Sequence, residues 1–207
     1  MTSERQTLLN WRRIALALLL FTGVLAGCSE KPAKFYAIDV SGASWGQEFS
    51  LPDLGGKTIT QKSFPGKITA IFFGFMYCPD ACPTHLAKMG EVKKLMGKDS
   101  DQLQVIFITL DPERDTPAQL SKYLESFDPT IIGLRGSLEQ TEAIAKNFRV
   151  FYKKVMGKQK NTGSPDYTID HTTFTYIFDG QGRLRLVIPH DLEVEKIAND
   201  LKYLSSR

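Results

Sequence analysis

An α/β fold, a sheet covered by helices on both faces, is the class that this 207-residue sequence predicts. Three observations carry it. Two continuous apolar, β-rich runs, Ile68-Thr69-Ala70-Ile71-Phe72-Phe73-Gly74-Phe75-Met76 and Val105-Ile106-Phe107-Ile108-Thr109-Leu110, have the pattern of strands buried on both faces. Each is followed by a segment of helical period, as a sheet with crossover helices requires. Two last strand-like runs, Thr172–Phe178 and Leu184–Ile188, meet at Asp179-Gly180-Gln181-Gly182 and read as a hairpin ahead of a closing helix over Leu192–Leu204. A chain of this length suits one core, and 42% apolar with 24% charged residues is a globular composition.

The N-terminus reads as targeting sequence. Arg12 and Arg13 precede an apolar run from Ile14 to Ala26, shorter than the roughly 20 residues a membrane-spanning helix needs. The run ends Leu25-Ala26-Gly27-Cys28, which resembles the bacterial lipoprotein processing box. That resemblance implies a signal peptide over residues 1–27, a lipid on Cys28, and a folded part held at a cell membrane on its periplasmic or extracytoplasmic side. An uncleaved anchor with an incidental cysteine is the alternative. Residues 28–46 read as a tether, since 31–46 are small and polar without period, which leaves 47–207 as the domain. Three of the 26 basic and one of the 23 acidic residues precede position 28, so the remainder is close to neutral. It has no Lys/Arg block dense enough to follow a phosphate backbone, which argues against nucleic-acid binding.

Along the domain, Phe49-Ser50-Leu51 and Thr58-Ile59-Thr60 flank Gly55-Gly56 and predict a first hairpin. After the first buried run, Leu86, Met89, Val92 and Leu95 form an apolar helical stripe that Gly97 ends. Thr116-Pro117 offers an N-cap with proline at the first helical position, and Ser137 with Gln140 offers a capping box for a helix reaching Phe148. Ile131–Leu134 is a short strand between them. Residues 156–167 are Gly-, Lys- and Ser-rich and read as an unusually long exposed loop, so a histidine just beyond it is expected to sit displaced until a ligand orders it.

The chemistry gathers where the first buried strand meets its helix, at Cys78-Pro79-Asp80-Ala81-Cys82-Pro83. In open α/β sheets, sites collect beyond the C-terminal strand ends. A spacing of four puts both sulfurs on one helical face, and the helix N-terminus favours thiolates. With Cys28 committed to lipid, these two cysteines are an even pair in an oxidising compartment, so they form a disulfide unless a reductant or a metal intervenes. Thiolates are the ligands a soft metal takes.

At these residues the sequence resembles the Sco/SenC family of copper proteins. The resemblance lies in Tyr77-Cys78-Pro79-Asp80-Ala81-Cys82-Pro83, Asp111-Pro112-Glu113-Arg114-Asp115-Thr116 and Asp170-His171-Thr172, and covers roughly residues 47–205. It implies a thioredoxin-like fold, a central mostly parallel sheet flanked by helices, with an extra N-terminal hairpin. It implies that Cys78, Cys82 and His171 bind one copper, as Cu(I), Cu(II) or both. The role it implies is a metallochaperone rather than an enzyme, serving the dinuclear copper centre of cytochrome c oxidase. Its partners would be the copper-centre subunit of that oxidase, a periplasmic copper donor and a thiol reductase. Without the resemblance, His171 would read as a packed strand residue. Asp170 could orient its imidazole or serve only the backbone. Asp111 and Arg114 could face a partner near the metal, or the run could be a helix-capping loop with Arg114 paired to a neighbouring carboxylate. His85 reads as an exposed first-turn residue and Met89 as core. A thiol–disulfide oxidoreductase acting on the partner's cysteines is the competing class. It prefers two intervening residues where this chain has three, Pro79-Asp80-Ala81.

Overall fold

The computed structural model describes residues 34–157 and 167–206. The expected signal peptide and the lipidation site Cys28 lie outside the described residues, as does most of the expected 156–167 loop. Among the described residues no helix is long and apolar enough to cross a membrane.

Phe35–Arg207 forms one compact unit. Its strands are β1 (Ile38–Asp39), β2 (Ser50–Pro52), β3 (Thr58–Thr60), β4 (Ile68–Gly74), β5 (Leu103–Thr109), β6 (Ile132–Leu134), β7 (Tyr152–Met156), β8 (Tyr167–His171), β9 (Thr175–Phe178) and β10 (Leu184–Ile188). Its helices are α1 (Ala81–Met96), α2 (Pro117–Glu125), α3 (Leu138–Asn147) and α4 (Val194–Ser205), with a 3-10 turn over Gly97–Gln102. The main sheet has the order β1-β10-β9-β4-β5-β6. β4, β5 and β6 are parallel neighbours, while β9, β10 and β1 add antiparallel pairs. Four of the six strands, β10, β4, β5 and β6, therefore run in one direction.

The β4 run is buried at every position because both faces are covered. Ile71 and Phe73 pack on one side with Ile144, Phe148, Leu51 and Ile59, from α3 and the β2–β3 hairpin. Ala70 packs on the other with Met89, Val92 and Leu201 of α1 and α4, and Phe72 with Leu120 and Leu124 of α2. The expected hairpin is present, turned where Asp53 Oδ1 accepts from the amides of Gly55 and Lys57 and where Gly56 takes φ +91°. The capping box is also present, with Ser137 Oγ accepting from the Gln140 amide and Gln140 Oε1 from the Ser137 amide.

Four expectations are corrected. The tether is shorter than 28–46, because β1 pairs with β10 and Ala37 is buried, its amide donating to Asp200 at 2.8 Å. In α1 the buried stripe ends on Met96, while Leu95 is 43% exposed; a 3.6-residue period drifts off a strict i+3 series. The same drift buries His85, expected to be exposed. Finally, Met156 and Tyr167 are not loop: β7 and β8 form a two-stranded antiparallel sheet with Tyr152 opposite His171 and Met156 opposite Tyr167.

Candidate metal centre

Three elements bring the site together. β4 ends at Gly74, and the turn Phe75–Asp80 leads into α1 with the Cys78 amide donating to the Phe75 carbonyl at 3.3 Å. Cys82 sits in the first turn of α1 and has no exposed surface. A Cβ on Gly74 would lie 2.7 Å from Cys82 Sγ, so glycine at this strand end is what makes room for the sulfur. Beneath the turn, the buried Asp115 accepts from the Met76 amide at 3.1 Å and from Thr109 Oγ1 at 2.5 Å. Burial pushes its carboxyl up to about 6.

Cys78 and Cys82 are not bridged to one another. The Cys82 amide, one of the unpaired donors of the α1 N-terminus, donates to Cys78 Sγ at 3.4 Å. Asp80, the N-cap, makes no side-chain cap bond, so the Cys78 sulfur takes the place of a capping acceptor. Cys78 is held far below the ordinary thiol range, chiefly because the Cys82 thiol donates to its sulfur. His171 and the amides of Asp80 and Cys82 act in the same direction, against burial. Cys82 is pushed strongly up by holding that shared proton, by burial and by the charge on Cys78. At neutral pH the pair is a half-buried thiolate beside a buried thiol.

His171 closes the site from the end of β8. Its Nε2 lies 3.7 Å from Cys82 Sγ, and its Nδ1 is 2.9 Å from the Thr172 carbonyl. A carbonyl only accepts, so Nδ1 donates to it, and Nε2 is left facing the sulfurs. The ring also meets Phe72 and Phe75 edge-on, with centroids 6.1 and 5.8 Å away. The β7–β8 ladder and this aromatic floor hold the histidine beside the sulfurs.

The two Sγ atoms and the imidazole nitrogen lie within 4.8 Å of one another, the metal-competent group found among the described residues. Ligand atoms bonded at ~2.0–2.3 Å to one ion stand about 4 Å apart. Small side-chain rotations therefore suffice to bring all three onto one metal, and two sulfurs with one nitrogen are a donor set that fits copper.

The remaining candidate residues divide. Asp170 is exposed, since alternation along β8 turns Ile169 inward and Asp170 out, opposite Lys153. It does not orient the imidazole; the Thr172 carbonyl does. Asp111 and Arg114 form an internal pair: Arg114 Nε donates to Asp111, which has no exposed surface. His85 is not among the converging ligands. It stacks on Phe72 with centroids 4.0 Å apart and bonds Thr175 Oγ1 at 3.2 Å, and burial above all lowers it to about 3, so it is neutral. Met89 is core, as expected. Sequence reasoning missed Gly74 and the Thr172 carbonyl. The glycine closing an otherwise bulky buried strand was the available signal for the first; a backbone carbonyl leaves none.

A thioredoxin-like sheet with two coupled thiols at the β4–α1 turn, met by a histidine from the end of β8, defines a thiol-based metal-binding protein. A family model, SCO1/SenC, matches residues 39–206, and the chain belongs to that family. It is similar to the SCO2-like protein of Rickettsia felis, 40% identical over 138 residues that cover 67% of this chain and 66% of that one. It is also similar to the copper-bound structure of Bradyrhizobium japonicum ScoI, with a TM-score of 0.67, 43% identity, and 78% and 99% of the two chains covered. Copper-bound yeast Sco1 gives a TM-score of 0.66 at 33% identity, covering 76% of this chain and 86% of that one. The chain thus spans just under two thirds of the length of the rickettsial relative.

Proposed function

We propose that this chain is a copper metallochaperone that holds one copper on Cys78, Cys82 and His171. It passes that copper to, or matures with it, the dinuclear copper centre of cytochrome c oxidase. The observation that carries the reading is the convergence of two sulfurs and one imidazole nitrogen within 4.8 Å. Two thiolates suit Cu(I), and the imidazole lets the same site accept Cu(II). Copper in the related ScoI and Sco1 structures supports the choice of metal. Loading displaces the one proton that the cysteine pair retains, so uptake weakens as pH falls. In this proposal Cys28 carries the lipid, the domain works at the outer side of a cell membrane, the oxidase subunit is the acceptor, and a periplasmic copper donor supplies the ion.

The asymmetry of the thiols favours one second reading, thiol–disulfide exchange. The Cys78 thiolate attacks a partner disulfide, forming a mixed disulfide and releasing one partner thiolate. Cys82 then loses its proton and attacks Cys78 Sγ, which frees the partner's second thiol and leaves a Cys78–Cys82 disulfide. A thiol reductase restores the dithiol.

One experiment separates the two. Copper-loaded chain is mixed with the reduced, metal-free copper-centre domain of the oxidase, and metal-free chain with the same domain in its disulfide form. Copper movement to the acceptor in the first mixture supports the chaperone. Thiol transfer in the second, without copper movement in the first, overturns it in favour of the reductase.

A further inference from the structure

Cys78 and His171 reach the site from different elements, and β7 and β8 form a sheet of their own, so no ladder bond of the main sheet sets the distance between them. Arg114 spans that gap. Its guanidinium carbon lies 3.6 Å from the ring centroid of Tyr167, four residues before His171 on β8. The same carbon lies 4.9 Å from the centroid of Tyr77, the residue before Cys78. Nη1 donates to the Tyr167 carbonyl at 2.8 Å, Nε donates to Asp111, and Tyr167 Oη donates to Asp111 Oδ1 at 2.7 Å. The Arg114 side chain is only 14% exposed and that of Asp111 not at all, so the pair works in a medium where charge–ring and ionic contacts are strong. Nη2 is buried with no hydrogen-bond partner, so the guanidinium is held by the two tyrosine rings, the Tyr167 carbonyl and Asp111.

We propose that Arg114 is a positioning residue of the metal centre. It clamps the Tyr167 end of β8 to the Tyr77–Cys78 turn and so sets the approach of His171 Nε2 to the thiolates. The proposal rests on the copper reading. It requires a planar cation with several fixed donors, so lysine cannot replace it, although lysine keeps the charge beside Asp111. Loosening the clamp leaves two thiolates able to hold Cu(I) and weakens the contribution of His171, on which Cu(II) depends.

The test compares wild type with Arg114→Ala, Arg114→Lys and Tyr167→Leu; Lys93→Ala, which breaks an ion pair to Asp128 elsewhere, is the control. Three quantities are measured: the rate at which a chelator removes Cu(II), the sulfur-to-copper absorption, and amide hydrogen exchange in the metal-free proteins. The expected result for both Arg114 variants is Cu(II) release about 10-fold or more faster. Their spectra move toward that of His171→Ala, with one Cu(I) per chain retained. Exchange quickens along β8 and not along β4 and β5. Should Arg114→Ala not fold, Arg114→Lys and Tyr167→Leu carry the test. Wild-type release and spectrum in those variants overturn the clamp, as does exchange that quickens equally in β4 and β5. A wild-type chain that takes up no copper contradicts the copper reading instead, and exchange in the metal-free proteins still decides the clamp.

Discussion

At the scale of single residues the site is an arrangement of protons as much as of ligands. One proton is shared between two sulfurs, and the geometry decides where it stays: on the fully buried Cys82, leaving charge on the half-buried Cys78, where the Cys82 amide and His171 face it. Because the folded-state value of Cys78 is depressed, its thiolate persists as pH falls, well below the range in which an unperturbed cysteine at ~8.5 ionises. Iodoacetamide should therefore modify Cys78 of the reduced chain readily at about pH 6 and leave Cys82 unreacted. Peptide mapping by mass distinguishes the sites, and labelling of Cys78 only above about pH 8 would contradict the assignment. The cysteines were legible in the sequence because their spacing and their place at a strand end are local. His171 is 89 residues from Cys82 and came only through family resemblance. Arg114 pairing with a neighbouring carboxylate was one of two open readings, and the second partner that matters, Tyr167, could not be seen without the β7–β8 pairing.

Among the elements, the long buried strands and the capped helix were legible in the sequence, and the short, mostly exposed strands were not. β4 and β5 announce themselves by continuous apolar runs, and α3 by Ser137 and Gln140. β7 is mostly exposed and reads Tyr-Lys-Lys-Val-Met, so its pairing with β8 leaves no clear apolar period. β1 has only Ile38 and Asp39, both exposed, and is held from outside the strand. The carboxylate of Asp200 on α4, 3% exposed, accepts from the Tyr36 amide with both oxygens, at 3.1 and 3.0 Å, and from the Ala37 amide at 2.8 Å. Asp200→Ala should strand those amides at a cost of about 1–3 kcal/mol. The chain should then melt lower and be cleaved sooner between residues 34 and 40. Unchanged melting and cleavage would mean that β1 is held by its ladder to β10 alone.

For the whole molecule, the sheet acts as a rigid support whose C-terminal strand ends carry the chemistry. β4 delivers the cysteine turn through Gly74, and β5 is tied to it where the Leu110 amide donates to the Gly74 carbonyl at 2.7 Å. The loop after β5 carries Arg114, which meets the separate hairpin bearing His171. Cysteines and histidine thus reach the site on different supports, which suits the proposed binding and release of copper. In the proposed function these three side chains share one copper. X-ray absorption at the copper edge, on chain loaded with one equivalent of Cu(II), tests it most directly. Two sulfurs and an imidazole nitrogen in the wild type, with that imidazole lost in His171→Ala and a sulfur lost in Cys78→Ser, is the predicted result. An unchanged coordination shell in His171→Ala, or copper bound without sulfur in the wild type, would contradict it.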